Sequence, residues 1–376
     1  MVRHQELPPE AFSSTEELRH WILSDGDRIN WEKDCFERGL FSVSHPWLAS
    51  HHPDPSGRHL QEICSLGEAH LQPTVGTGSR SRPYIPDDAP VFCDFLGLPQ
   101  LKKNESGKVI EGRTTEEDDR FKLCLKNMHV LYAHQHVNVL CLDGNIPTDA
   151  PSKTDYHARG WCEFEFRCFS DKDPAYIECL SGGVMRSFAP MLPEVFQEEL
   201  DKRLKFTTNA DKTVVGELYR KVFLAKAECT DKLKLTIPAS KSELPRLVAA
   251  LPHYQTLDYL LVGGWTGEGD WKEQIGKAEI VSFAEHLAEA LHLGAVPQLR
   301  ELFVYIPSIG GGQAMAYHWI ESWPMEEFLR RSGRQDSLVV KIHMALGKHG
   351  LCLQHQPGKG IERHSGFSES ENSDND

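Results

Sequence analysis

The feature that most constrains the fold is an alternation of strand-like and helix-like segments between residues 39 and 142. Apolar runs of strand length cover residues 39–47, 89–95 and 136–142. Between them lie segments with helical spacing, one over residues 58–69 and one that opens with a Thr114/Glu117 capping box, and a polar stretch at 102–112 that predicts a mobile loop. A Ser14/Glu17 capping box predicts a short helix over residues 14–23. Such an order predicts a parallel sheet flanked by helices, with functional groups at the carboxyl ends of its strands.

Composition narrows the class of protein. The chain has 376 residues, of which 40% are hydrophobic and 26% charged, as in ordinary globular domains. A net charge of −14 argues against a broad nucleic-acid-binding surface. The sequence has no run of about eighteen apolar residues and no apolar core of a signal peptide near its start, which predicts a cytoplasmic protein that does not bind membranes. The ten cysteines are scattered singly and are expected to be buried thiols.

The second half of the chain reads differently. Helical patterns are followed by strand candidates at residues 233–237, 257–262, 299–304 and 338–344. Their Leu-x-x-Leu rhythm, with a Gly-rich stretch at 309–316, resembles divergent leucine-rich repeats, although spacings of about 24 and 42 residues depart from the usual repeat of about 20 to 29. An ordinary α/β domain is the alternative. The predicted organisation is a helical segment (1–36), an α/β domain (37–185), a helical connector (186–228), a repeat-like α/β module for protein partners (229–354) and a disordered tail (355–376).

The segment Tyr156-His-Ala-Arg-Gly-Trp-Cys-Glu-Phe-Glu-Phe166 carries the candidate site. Glu165 lies four residues after Trp161, in the position expected of an acid that faces a ligand at the edge of an α/β sheet. Strict alternation over residues 162–168 indicates a strand, in which Glu165 would share a face with Arg167 and pair with it. In a helix, Glu165 would share a face with Trp161 instead.

Residues 42–168 resemble a Toll/interleukin-receptor (TIR) domain, most of all those of plants and bacteria. Three runs carry the likeness to the strands of that family: Phe41-Ser-Val-Ser-His45, Val91-Phe-Cys-Asp-Phe-Leu-Gly-Leu98 and Val137-Asn-Val-Leu-Cys-Leu142. The pattern Tyr156-x4-Trp161-Cys162-x-x-Glu165 is similar to the plant-type signature residue for residue. The resemblance implies a flavodoxin-like parallel sheet and places Glu165 on a helix. Pro46 and Trp47 depart from the usual polar residues after the first strand.

The resemblance also implies a chemistry, since some TIR domains hydrolyse NAD at the nicotinamide–ribose bond with a glutamate at the position of Glu165. A carboxylate there would stabilise positive charge that develops on the ribose. Substrate-binding roles then fall to side chains near the strand ends and the helix, namely Ser44, His45, Trp47, Asp94 and Trp161. NAD or a related nucleotide is expected as substrate rather than cofactor, no metal is expected, and the family's behaviour implies self-association.

Two alternatives remain open from the sequence. The first is a catalytically inactive TIR-like adaptor or scaffold that acts through protein–protein interaction. The second is a nucleoside-processing transferase, which would require a second carboxylate near Glu165, with Asp94 as the candidate.

Overall fold

The protein is represented by a computed structural model that describes residues 1, 3–14, 16, 40–71, 90–135, 137–172, 177–180, 187–236, 243–263, 277–306, 324–346 and 349–365. The helix expected over residues 14–23 and the Gly-rich stretch at 309–316 fall outside these ranges, apart from Ser14 and Glu16. The N-terminal half contains β1 (Leu40–Ser44), α1 (Arg58–Leu71), β2 (Val91–Cys93), α2 (Asp94–Gly97), β3 (Lys102–Lys103), β4 (Val109–Glu111), α3 (Thr115–Asn127), α4 (His129–Ala133), β5 (Val137–Cys141), α5 (Gly160–Phe169) and β6 (Ile177–Cys179).

The first sheet is wholly parallel and has the order β2-β1-β5-β6. This confirms the predicted α/β architecture with a helix-flanked parallel sheet. Strand β1 has β2 as its neighbour on one side and β5 on the other. The chain therefore builds the sheet outward from β1 in two opposite directions, and the strand order reverses between β1 and β5. Crevices for ligands form at the carboxyl ends of the strands at such a reversal.

Side chains alternate across β1 and enter two separate cores. Phe41 and Val43 join Ile63 of α1 in a small apolar cluster on one face. Ser42 and Ser44 point to the opposite face, where Tyr132 of α4 is fully buried in the main core. Both faces of the sheet are therefore covered, as parallel sheets require.

The helix α5 corrects the strand that alternation predicted over residues 162–168. All of its side chains from Cys162 to Phe169 except Arg167 are buried, so the helix has no solvent face to impose a 3.6-residue period. The first residue of this helix, Gly160, has to be a glycine, because a Cβ there would lie 1.8 Å from Cζ of Phe206.

The C-terminal half contains α6 (Pro193–Lys202), α7 (Asp211–Cys229), β7 (Lys232–Thr236), α8 (Glu243–Ala250), β8 (Tyr259–Gly263), α9 (Lys277–His292), β9 (Glu301–Ile306), α10 (Met325–Ser332), β10 (Val339–Leu346), β11 (His349–Gln356) and β12 (Gly360–Ser365). Two helices occupy the segment predicted as a connector, and each of the four predicted strands coincides with an observed strand. These strands, β7 to β10, are parallel, and β11 and β12 extend the same sheet in antiparallel pairing.

Burial on this second sheet is one-sided. Its inward side chains are fully apolar and belong to the main core, namely Leu233, Leu235, Leu260, Val262, Leu302, Val304, Val340 and Ile342. The alternate positions, such as Lys234, Phe303 and Lys341, are exposed or half-buried. The main core runs without a break from Met128 to Leu353, so the predicted α/β domain, connector and repeat-like module share one apolar interior.

Two predictions of irregular structure were wrong. Residues 102–112, expected to be a mobile loop, form the β3–β4 hairpin, whose turn is held by the side chain of Asn104 accepting from Lys108 N at 2.9 Å. The tail expected to be disordered from residue 355 instead completes β11 and forms β12 as far as Ser365, while residues 366–376 lie outside the described ranges. Both elements are held by pairing with a neighbouring strand.

Candidate functional site

Ser44 and Glu165 meet where β1 ends. Ser44 Oγ donates a hydrogen bond to Glu165 Oε2 at 2.5 Å, and the Tyr156 hydroxyl lies 2.5 Å from the same Ser44 oxygen. Because Ser44 has one proton and gives it to Glu165, Tyr156 is the donor in the second bond. A chain of hydroxyls thus fixes the position of the carboxyl group, which is 6% exposed.

The environment of Glu165 favours its protonated form. Burial raises the pKa of Glu165 well above its usual range, and the negative charge of Asp94 raises it further. Hydrogen bonds from Ser44 and Tyr132 act in the opposite direction. Both carboxyl groups line the same cavity.

Glu163, not Glu165, pairs with arginine. Arg167 Nε donates to Glu163 Oε1 at 2.9 Å, and His157 Nδ1 lies 2.9 Å from Glu163 Oε2. The pairing of Glu165 with Arg167 that a strand would give was therefore wrong. The two acids are separated by the helical geometry of α5, which turns Glu163 toward its cationic neighbours and Glu165 toward β1.

Asp94 is held at the end of β2. The backbone N–H of Phe95 donates to Asp94 Oδ1 at 2.6 Å, and the indole N–H of Trp47 donates to Asp94 Oδ2 at 3.2 Å. His45 Nε2 lies 3.6 Å from Asp94 Oδ1 and has no hydrogen-bond partner. Next to His45 stands His59 of α1, whose pKa is lowered to about 4 by burial and by the proximity of His45.

A cavity of about 470 Å³ opens at this edge of the sheet. Five of the six residues predicted for the site line it: His45, Trp47, Asp94, Trp161 and Glu165. Ser44 is not on the wall and lies behind Glu165 as its hydrogen-bond donor. The volume is within the range of about 300 to 1,000 Å³ usual for small-molecule sites.

Several lining residues were missed by sequence reasoning. Four cations line the cavity, namely Lys103, Arg113, Arg159 and Lys205, although the whole chain is acidic. Lys103 belongs to the hairpin that was expected to be a loop, and Arg113 stacks 3.4 Å above the ring centroid of Phe121. These side chains come from segments far apart in the chain, and no local pattern joins them.

Two sets of side chains in the described part of the chain have the composition of metal ligands. One is His45, Cys93 and Asp94, and the other is Cys141, Asp143 and Cys179. Within each set the ligand atoms lie within 4.8 Å of one another. The sequence had predicted no metal, because neither set forms a contiguous motif.

The chain matches no protein-family model, no curated protein and no solved structure. Within the described ranges, none of the helices combines the length and the apolar character that crossing a membrane would require.

Proposed function

We propose that this protein cleaves the N-glycosidic bond of a nucleotide with a cationic base, with NAD as the representative substrate and water as acceptor. The observation that carries the proposal is the placement of Glu165, a buried carboxyl group held by Ser44 on the wall of a ligand-sized cavity. Glu165 is the proposed catalytic residue, and Ser44 and Tyr156 position it.

The chemistry needs one carboxylate. Nicotinamide leaves as a neutral molecule from a cationic substrate, so no acid has to protonate it, and positive charge accumulates on the ribose in the transition state. A carboxylate held in place on the wall of the cavity stabilises this charge by about 3 to 4 kcal/mol, as electrostatic stabilisers in other enzymes do. The Tyr156–Ser44 hydrogen bonds prevent Glu165 from rotating away.

The raised pKa of Glu165 couples ionisation to substrate binding. Without substrate, burial favours the protonated carboxyl group. A positively charged ring in the cavity favours the ionised form of a nearby acid and lowers its pKa. We therefore expect Glu165 to lose its proton as the cationic substrate binds. A neutral analogue of the base should lower the pKa of Glu165 less.

Other lining residues suit the remaining parts of a dinucleotide. Trp47 and Trp161 offer flat aromatic surfaces to a base, and Trp161 is fixed by its indole N–H donating to Asp211 Oδ2 at 3.1 Å. Lys103, Arg113 and Lys205 offer positive charge to phosphates. His45 and Asp94, at the ends of β1 and β2, are placed for the ribose side.

Sheet order adds support for a TIR-like, flavodoxin-like domain. Numbered along the chain, the four parallel strands have the order 2-1-3-4, and flavodoxin-like sheets share this order and bind ligands at the reversal between strands 1 and 3. The cavity lies beside the carboxyl ends of β1 and β2, and Glu165 is on a helix, as the resemblance implies.

The test is nicotinamide release from NAD by the purified full chain, followed by chromatography. Glu165→Gln preserves the size of the side chain and should lower the rate by at least about 100-fold. Glu163→Gln is the matched control, because it removes a buried carboxylate from the same helix two residues away and should retain release in the folded protein. Equal rates in wild type and Glu165→Gln would reject the proposal.

A transferase is the second candidate, and the Asp94–Glu165 interaction favours it. A second carboxyl group beside Glu165 could activate a nucleophile other than water as the ribosyl acceptor. Supplying an alcohol or a free base with NAD separates the two: a hydrolase yields free ribosyl product, whereas a transferase yields the exchanged product and depends on Asp94.

The inactive adaptor remains the outcome if no bond is cleaved. We propose that either form self-associates in the cytoplasm and binds a protein partner through a leucine-rich-repeat-like C-terminal module. The half-buried outer face of the second sheet supports this role, because Tyr259 and Phe303 lie 5.3 Å apart there with Lys341 over the Phe303 ring. Light scattering of wild type and of Phe303→Glu tests whether this face mediates assembly.

A further inference from the structure

The carboxyl ends of β1 and β2 bring three metal-binding side chains together. Cys93 is the last residue of β2 and is in register with Val43, so His45, two residues further along, lies on the same face of the sheet. Cys93 Sγ is 4.0 Å from Asp94 Oδ1, and His45 Nε2 is 3.6 Å from that oxygen. All three ligand atoms lie within 4.8 Å of one another.

His45 is buried without a hydrogen-bond partner for its ring nitrogen Nε2. Its side chain is 2% exposed, and Nε2 has no hydrogen-bond partner even though it faces the Asp94 carboxyl group. A buried polar atom without a partner costs about 1 to 3 kcal/mol. The separation of 3.6 Å is too long for a good hydrogen bond and leaves room for an ion between nitrogen and oxygen.

The geometry is close to that of a tetrahedral site. Bonds of about 2.0 to 2.1 Å to nitrogen and oxygen and about 2.3 Å to sulfur place ligand atoms about 3.3 to 3.6 Å apart. Contraction by a few tenths of an ångström between His45 and Asp94, and by up to about 1.3 Å between His45 and Cys93, would complete it. We propose that His45 Nε2, Cys93 Sγ and Asp94 Oδ1 bind a divalent transition-metal ion, for which this nitrogen, sulfur and oxygen set favours Zn²⁺.

The surroundings fit such a role. Trp47 Nε1–H and Phe95 N–H hold the Asp94 carboxyl group, as outer partners orient ligands in metal sites. His45 and Asp94 also line the cavity, which leaves the fourth coordination position for water or a substrate oxygen, the arrangement of zinc sites with three protein ligands. His45 and Asp94 would then contact the substrate through the ion.

The second ligand set is the natural competitor. Cys141 and Cys179 are opposite each other on β5 and β6, and Asp143 follows β5. This set contains two thiols, whereas the proposed site contains one. Counting the sulfur atoms bound to the metal therefore distinguishes them without any mutation.

X-ray absorption spectroscopy of the full chain, stripped with a chelator and reloaded with one equivalent of Zn²⁺, is the primary test. We expect one sulfur at about 2.3 Å and nitrogen or oxygen neighbours at about 2.0 Å. Two sulfurs, no sulfur, or failure to retain zinc through dialysis would overturn the proposal.

Variants loaded with Co²⁺ give a second readout. Cys93→Ser should remove the thiolate-to-cobalt charge-transfer band, and His45→Ala should weaken binding by about 100-fold or more, beyond the effect of losing an outer partner. Cys168→Ser, another fully buried thiol, and Cys179→Ser are controls that should keep the band, with circular dichroism to verify folding. Loss of the band in Cys179→Ser and its retention in Cys93→Ser would overturn the assignment.

The variant Glu165→Gln distinguishes zinc binding from the proposed catalysis. Glu165→Gln should bind Zn²⁺ with unchanged stoichiometry even though it loses nicotinamide release. Loss of zinc in Glu165→Gln would instead show that the ion is bound by the acid itself, against the proposal.

Discussion

The two sheets of this protein differ in how they are covered, and the candidate site lies at one of them. The first sheet has short strands of three to five residues, and both faces are packed under helices. The second has strands of five to eight residues, with a continuous apolar face inside and a partly open face outside. Polar groups such as Ser44 and Glu165 are buried around the first sheet, whereas the inward face of the second is aliphatic.

Together with the proposed function, this difference leads us to expect that stability and activity depend on different sheets. A buried carboxyl group needs hydrogen-bond partners, and at the first sheet a strand and a helix supply them together. The second sheet contributes apolar area to the shared core and an accessible surface. Substitutions in the second sheet should therefore change stability, whereas substitutions at the end of β1 should change activity.

The largest effect on stability is expected from Leu302→Ala in β9. Leu302 is fully buried, and removal of its side chain should lower the free energy of unfolding by about 3 kcal/mol. Urea unfolding measures this loss. Leu293→Ala, at a position 77% exposed, should change it by less than about 0.5 kcal/mol.

Release of nicotinamide by folded Leu302→Ala should match wild type. A large loss of activity at equal folded fraction would mean that the shared core couples the second sheet to the cavity, and that the division between the sheets is wrong.

Ser44→Ala should cost about 2 kcal/mol, because it removes the hydrogen bonds to Glu165 and Tyr156. Activity should fall about tenfold through the freed carboxyl group. Ser42→Ala is the matched control on the same strand, since Ser42 Oγ donates to the Leu131 carbonyl at 3.2 Å and not to the site. Similar activity in both variants would contradict the positioning role of Ser44.

Lys172 makes stability depend on pH at the first sheet. Its ammonium donates to the Val137 carbonyl at 3.0 Å, and burial, with Lys226 nearby, lowers the pKa of Lys172 to about 7. The folded state releases this proton near pH 7, while the unfolded chain holds it until about pH 10.4. The unfolded state binds more protons at this position in between, so the contribution of Lys172 to the free energy of unfolding rises with pH.

Between about pH 7 and 8.5 this contribution should reach about 1.5 kcal/mol and be missing in Lys172→Met. The window ends there because thiols such as Cys93 then begin to ionise in the unfolded chain. Burial raises the pKa of Cys93 in the folded protein, which keeps its proton, so this group makes the free energy of unfolding fall as pH rises further. Exposed Lys126→Met should keep the wild-type slope. Denaturant titrations at several pH values provide the comparison, and a parallel slope in Lys172→Met would refute it.

Thr114→Ala should have the smallest effect, about 1 kcal/mol, since it removes the cap of α3. Thr115→Ala, one residue later in the same turn, makes no cap and should change stability by less than about 0.5 kcal/mol. Thermal unfolding by circular dichroism compares the two. Equal losses of stability in the two variants would show that the Thr114 cap does not stabilise the helix.

Sequence patterns predicted elements whose signals are local. The Thr114–Glu117 capping box, the helix over 58–69 and the apolar strands β1 and β5 formed as expected, because caps and side-chain periods act within a few residues. Strand β6 was missed, since only three residues pair with β5. Glu165 and Trp161 were predicted from a sequence motif. The four basic residues that line the cavity belong to no motif and were not predicted.

By itself, the sequence determined which segments form most of the helices and strands, and it singled out Glu165, the acid that lines the cavity. Hydrophobic period and capping chemistry are properties of short segments and need no partner. Tertiary structure overrode the strand pattern of residues 162–168 with a helix, and it alone decided that residues 360–365 form an edge strand and that His45, Cys93 and Asp94 converge. The physical reason is that burial on all sides erases periodicity, and that strand pairing brings together side chains whose separation along the chain carries no signal.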